Sequence, residues 1–383
     1  MPSIRSQELV GRVREAIHRR TVVVSVTFVV AFASFLVGAP RNASGDGWVL
    51  FSDDFSTDQW TDFSGDGTYD VFVDTSAAVL RFNSECGDRD FSYREIGPRD
   101  RVTVEFTVRV SWSQNSGKAY IGLVNLPDSY RRGMGYQSLG VPLPIVTDAL
   151  VLVIAGPHWM PNGVPRIYSA YKMDTVVDVP LHEYYDDVGF DYQYNTNYYV
   201  RIVKDAGRGI VELWDSGQTL LLFRKDWGDV GLRQMPYVLV SDGYIGSPPG
   251  YGWSSADRVS GSMDNLVVSE LVTEVGIDIK PGSFPNSINV KSNGKVPVAI
   301  LTTPDFDAGT VDWTTVTFGP SGAPATKAAL EDVDGDGDLD MVLHFNTQQT
   351  GFACGQTSAT LKGRTLGGLA IEGTDSIKPV PCG

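Results

Sequence analysis

Val102-Thr103-Val104-Glu105-Phe106-Thr107-Val108-Arg109-Val110 alternates without a fault: each even-numbered residue is apolar, and each odd-numbered one within the run is Thr, Glu or Arg. In an extended chain successive side chains leave on opposite faces, so this stretch carries one face for a core and one for water. A helix would scatter the same residues around its whole circumference. The stretch is therefore a long half-buried strand, and further strands surround it. Ala119-Tyr120-Ile121-Gly122-Leu123-Val124 follows a Gln114-Asn115-Ser116-Gly117 turn. Ala149–Ile154, Tyr198–Val203, Gly209–Trp214, Leu220–Phe223, Tyr237–Val240 and Met263–Val268 continue the series of short strands, and Val49–Phe55 and Ala78–Phe82 precede it. With 41 Gly, 16 Tyr, 17 Phe and 8 Trp, and no convincing helix in this region, the sequence predicts an all-β fold of packed sheets.

The order of these strands resembles the concanavalin-A-like jelly roll, in its laminin-G-like and glucanase-like branches. The residues that carry the resemblance are Phe51-Ser52-Asp53-Asp54-Phe55 with Trp60, Tyr93-Arg94-Glu95-Ile96 before the long strand, Ala119–Leu123, Asn197–Ile202 with Val211–Trp214, and the closing Met263-Asp264-Asn265-Leu266-Val267-Val268. It covers residues 47–272. In that fold the first and last strands are neighbours, which would bring Asp54 near Asp264. A second metal there and two independent turn caps both remain open. Retaining glucanases on this fold carry Glu-x-Asp-x-x-Glu on one strand to set two carboxylates about 5 Å apart. No such triplet occurs here. Glu105 and Glu212 stand alone in strands, Glu85 and Glu183 lie elsewhere, and His18, His158, His182 and His344 are scattered. No catalytic residue is assigned, and a glycoside hydrolase or lyase is the minority expectation.

Binding has more support. Trp159, Tyr184, Tyr185, Tyr192, Tyr194 and Trp253 sit in long loops beside Asp and Asn. Flat rings next to polar groups suit a sugar, whose C–H face stacks while its hydroxyls take hydrogen bonds. The competing use of each ring is to pin its own loop by packing.

Five aspartates at alternate positions, Asp332, Asp334, Asp336, Asp338 and Asp340, are spaced by Val333, Gly335, Gly337 and Leu339. So many carboxylates repel one another unless a hard cation gathers them, and calcium takes six to eight oxygens from such a turn. The predicted loop uses Asp332, Asp334 and Asp336 first, turns at Gly337, takes the backbone carbonyl of Asp338, and ends on Asp340. Leu339 is expected to anchor it to the core. Leu343 stands where an EF-hand needs its bidentate Glu, so a helix-loop-helix site is excluded. His344 is read as a strand residue.

Around this loop, Ile277-Asp278-Ile279-Lys280-Pro281-Gly282, Pro285-Asn286-Ser287-Ile288-Asn289, Gly294–Thr303, Thr315–Pro320 and Gly373-Thr374-Asp375-Ser376-Ile377 resemble a recurring C-terminal module of secreted bacterial and archaeal proteins. The resemblance implies a smaller calcium-loop β-sandwich over residues 274–383, without a catalytic role.

The 383 residues exceed one typical core, in keeping with two such domains. The net charge of −15 conceals an asymmetry: residues 1–43 hold six Arg against two Glu, which leaves −19 for the rest. An acidic body of this kind repels phosphate backbones, so nucleic acid is not an expected partner. Residues 21–38 carry no charge and follow His18-Arg19-Arg20. They predict a signal peptide or an N-terminal membrane anchor helix within residues 1–43, with everything after them secreted or displayed at the cell surface. Of three cysteines, Cys354 and Cys382 are the expected disulfide, and Cys86 is left buried or free to pair between chains. The function expected from the residues is thus a secreted or anchored carbohydrate-binding protein stabilised by calcium. The alternative from another class is an adhesin that binds protein or itself.

Overall fold

The computed structural model describes residues 47–63, 69–85, 90–114, 117–125, 148–157, 164–173, 182–183, 189–242 and 258–382. The segment predicted as a signal or anchor helix lies outside them. Among the described residues no helix is long and apolar enough to cross a membrane.

The alternating stretch forms the centre of strand Arg101–Gln114, and Val102, Val104, Phe106, Val108 and Val110 are all fully buried. Its sheet runs Leu221–Asp229, Arg208–Asp215, Asn197–Asp205, Arg101–Gln114, Arg258–Leu271, Val79–Glu85, Val71–Asp74, and Gly47–Asp53 adds to the far side of Arg258–Leu271. All these pairings are antiparallel. The first and last strands of this region are neighbours, with Asp53 opposite Leu266.

A second antiparallel sheet contains Arg166–Met173, Asp148–Ala155, Lys118–Val124, Tyr237–Asp242, Phe91–Glu95 and Thr61–Phe63. The core between the two sheets is built from Phe106, Val108, Ile121, Leu152, Ile154, Val200, Ile202, Val238, Val240 and Met263 with their neighbours. The second sheet gives one face to this core. Its other face is buried as well: Phe91, Tyr120, Val151, Val153, Tyr168, Ala170, Tyr237 and Leu239 form a separate apolar cluster. Strands Lys118–Val124 and Asp148–Ala155 are buried at every position. Continuous apolar runs such as Ala149–Ile154 are the sequence form of a strand covered on both sides.

From Thr273 onward one hydrogen-bonded path replaces two facing sheets. It runs Thr273–Glu274, Ala370–Ser376, Ser358–Thr365, Val311–Phe318, Ala323–Glu331, Asp340–Asn346, Lys295–Ile300, Ile277–Ile279. The path curls until strand Ile277–Ile279 packs against Ala370–Ser376. Ile279, Val298, Ile300, Val316, Phe318, Leu343, Phe345, Leu361 and Ile371 fill the interior. Phe318 anchors it, with ring centroids 5.1 Å from Phe345 and 5.4 Å from Phe352. Cys354 and Cys382 are joined by a disulfide, while Cys86 lies outside the described residues.

Candidate functional sites: an acidic loop and an aromatic edge

The acidic loop joins strand Ala323–Glu331 to strand Asp340–Asn346, whose ends pair through Glu331 and Asp340. Carboxylate oxygens of Asp332, Asp334 and Asp340 all lie within 4.8 Å of one another. Oxygens held about 2.3–2.6 Å from one calcium ion are at most ~5 Å apart, so this set has the dimensions of a hard-cation cage. Gly335 (φ 82°) and Gly337 (φ 100°) turn the chain where a side chain would be strained. Each carboxylate is also oriented by backbone. Asp332 accepts the Gly335 N–H at 2.7 Å, Asp334 that of Asp336 at 3.2 Å, and Asp336 that of Asp338 at 3.0 Å.

The side chains that converge are three of the five aspartates; Asp336 lies outside that group, and Asp338, expected to offer its backbone carbonyl, contributes no side-chain oxygen to it. Asp338 Oδ1 is buried with no hydrogen-bond partner, and loss of water around the carboxyl, followed by the charge of Asp336, raises its pKa. Leu339 is not the anchor: it is 54% exposed. Asp340 performs that task instead, fully buried and accepting the N–H groups of Thr302 at 2.9 Å and Val333 at 3.0 Å. Thr302 Oγ1 donates to the Leu339 carbonyl at 2.7 Å. A strand-end carboxylate is the better anchor here because it ties both ends of the loop to strand Lys295–Ile300 and can still offer a lone pair. Among the described residues no Lys or Arg pairs with the loop carboxylates. His344 lies within strand Asp340–Asn346, opposite Pro297.

Asp54 and Asp264 each make a local backbone contact. Asp54 accepts the Ser56 N–H at 3.0 Å and Asp264 the Asn265 N–H at 2.6 Å. The hub of that corner is the preceding residue. Buried Asp53 accepts from Phe55 N–H at 2.8 Å, Trp60 Nε1 at 3.1 Å and Arg94 at 2.6 Å, and Arg94 lies 4.1 Å over the Phe51 ring. The Phe-Ser-Asp-Asp-Phe, Trp and Tyr-Arg-Glu signatures are therefore parts of one structural lock.

Of the six rings assigned to a ligand, Trp159, Tyr184, Tyr185 and Trp253 lie outside the described residues. Tyr192 is corrected to a core residue: it is 2% exposed and its hydroxyl donates to Ser113 Oγ at 3.0 Å. Burial pushes its phenol up. Tyr194 is 41% exposed, held edge-on against Tyr192 with centroids 5.7 Å apart, and its hydroxyl is 2.7 Å from Ser113 Oγ. Beside Ser113 stands Trp112, 43% exposed and not singled out from sequence. Sequence carried no signal for it: Ser111-Trp112-Ser113 keeps the polar–apolar–polar order, and the register slip against strand Arg258–Leu271 between Val110 and Trp112 is what leaves Trp112 outside and Ser113 inside. Arg109 reaches the Asn195 side chain at 3.4 Å on the same edge. Tyr194, Asn195 and Arg109 thus gather along strand Arg101–Gln114, where Trp112 is exposed next to Ser113.

Glu105 and Glu212 do not face each other across a cleft. Arg201 stands between them in register, 3.9 Å from Glu105 and 3.5 Å from Glu212, and Arg224 lies 3.3 Å from Glu212. Tyr199 donates its hydroxyl to Glu105. The row is an alternating charge ladder across four strands.

No family model matches the chain, and no curated protein does. Solved structures similar to it include the exoplasmic/lumenal domain of VIP36 in its Ca2+/Man3GlcNAc-bound form, at 11% identity and a TM-score of 0.38, covering 58% of this chain and 90% of that one. The metal-free carbohydrate recognition domain of Emp46p matches at 13% identity and a TM-score of 0.36, over 56% of this chain and 89% of that one. A legume lectin-like domain from Entamoeba histolytica matches at 11% identity and a TM-score of 0.36, over 58% and 97%.

Proposed function

We propose that this chain is an exported, non-catalytic carbohydrate-binding protein, with a concanavalin-A-like sandwich over residues 47–272 as its binding part and a calcium-stabilised module over residues 274–383. The observation that carries the binding role is the edge at Ser113. The Tyr194 ring stays exposed while its hydroxyl is held at Ser113, Trp112 is exposed on the adjoining residue, and Arg109 and Asn195 lie nearby to make hydrogen bonds. A pyranose uses that combination of flat apolar face and peripheral polar groups. Asp332, Asp334 and Asp340 would hold calcium, which supplies charge neutralisation and rigidity rather than chemistry. Disordered loops pay an ordering cost on binding that a metal-locked fold does not.

A glycan array probed with the intact chain in calcium tests the reading. Binding that falls about tenfold or more in both Trp112→Ala and Tyr194→Ala, with no reducing ends released from soluble polysaccharide, is the expected result. Loss of one well-packed ring at a binding edge is worth roughly 1–2 kcal/mol, which gives that factor. Binding untouched by either substitution removes this edge from the account, and released reducing ends replace binding with hydrolysis.

A further inference from the structure

The geometry points to a second ligand site, in the cleft where the first sandwich meets the curled sheet, which takes a single sugar unit bearing a protonated amine. It shares only the ligand class with the reading above and uses neither Trp112 nor Tyr194. The cleft is a cavity of about 300 Å³ lined by Gly47, Val272, Glu274, Lys362, Glu372 and Thr374, with Val275 and Gly373 beneath. Small-molecule sites run from roughly 300 to 1,000 Å³ and favour such junctions, so one sugar ring is the right scale.

Its walls are fixed in advance. Glu274 pairs with Glu372 in parallel register, and Glu372 pairs with Lys362 in the next strand, so Glu274, Glu372 and Lys362 form one row on one face. Glu372 is held from both sides: Trp48 Nε1 donates to Oε2 at 2.9 Å and Lys362 Nζ lies 3.1 Å from the same oxygen. The Trp48 ring is itself clamped, with Lys362 5.7 Å and Arg364 5.2 Å from its centroid. Arg364 in turn makes a bidentate bridge to buried Glu270 at 2.7 Å per arm. Glu372 and Lys362 are therefore held in place, while Glu274 stays free to meet a ligand.

Charge selects the ligand. Lys362 neutralises Glu372, whereas Glu274 is exposed and has no side-chain partner among the described residues. The lining thus keeps one uncompensated negative charge next to a second carboxylate, which attracts an ammonium group and repels a uronate. No aromatic residue is among those lining the cleft. Recognition falls to hydrogen bonds accepted by Glu274, donated by Lys362 and exchanged with the Thr374 hydroxyl, which suits a donor-rich amino sugar.

Titration of the intact calcium-loaded chain near pH 6, where the sugar amine is protonated, tests this with glucosamine, glucose and glucuronate as probes. The expected order is glucosamine tighter than glucose by about tenfold, with glucuronate weakest, since a single screened charge pair is worth about that factor. Glu274→Gln brings glucosamine down to the glucose level, Thr374→Trp blocks all three by filling the cleft, and Trp112→Ala with Tyr194→Ala leaves glucosamine unchanged. Equal affinity for glucosamine and glucose in the unaltered chain overturns the proposal. So does glucosamine binding that survives both cleft substitutions, whereas loss through Trp112 and Tyr194 assigns the ligand to the other edge.

Discussion

The first sandwich and the curled sheet that follows it both carry buried or crowded carboxylates, and they surround them differently. In the first, arginines do it. Asp53 is held by Arg94, fully buried Asp148 by a bidentate Arg233 at 2.6 and 2.7 Å, and Glu105 and Glu212 by Arg201 and Arg224. In the acidic loop, Asp332, Asp334 and Asp340 converge with no cationic side chain among the described residues. The lesson is that a fixed guanidinium makes folding independent of the medium, whereas a carboxylate cluster without one would make it conditional on a cation from solution.

The largest way to break this contrast is chelation. In excess calcium the curled sheet should gain about 2.7 kcal/mol at a hundredfold excess over the dissociation constant, and EGTA should lower its melting transition by roughly 10 °C. Calorimetry of the intact chain reads it, and a transition indifferent to EGTA means the loop is stable as a bare acidic turn. The first sandwich should instead be sensitive to its internal partners. Asp53→Ala strands Arg94 and the Trp60 indole, and should cost about 3 kcal/mol in denaturant unfolding; a cost below 1 kcal/mol shows that Arg94 finds water at no penalty.

Between the regions, Glu270→Ala should cost less, about 2 kcal/mol, because Arg364 keeps a third of its side-chain surface exposed. Merging or separation of the two melting transitions in that variant measures how far the bridge couples them. The smallest effect is protonic. Arg208 beside Asp226 holds its carboxyl down at about 2. A depressed folded-state pKa contributes stability above the ordinary carboxylate range, lost as pH falls from about 4 toward 2. Carbon-13 NMR titration of Asp226 should show it, and a midpoint near 3.8 would mean the ion pair is not formed in solution.

Legibility from sequence followed the range of the interaction. Strand Arg101–Gln114 was readable because its period is local, and the clustering of the acidic loop because its carboxylates are close in sequence. Strand Arg166–Met173 was missed, since Ile167-Tyr168-Ser169-Ala170-Tyr171 mixes rings and small residues on both faces. Asp53 was passed over for Asp54 because only the fold brings Arg94, 41 residues away, to its side. Tyr192 and Tyr194 look alike in sequence, yet one lies in the core and the other at the surface, a choice made by packing around Ser113. The ladder from Glu105 to Arg224 depends on register among four strands, which no local pattern encodes.

Strand Arg258–Leu271 gives way to Thr273–Glu274 across Val272 alone, and Thr273 and Glu274 immediately join Ile371 and Glu372 in parallel. A joint this short has no slack. Tension along the polypeptide would meet that backbone ladder and the Arg364 bridge together, loaded in shear, so the two bodies should resist drag as one beam rather than swing like beads on a string.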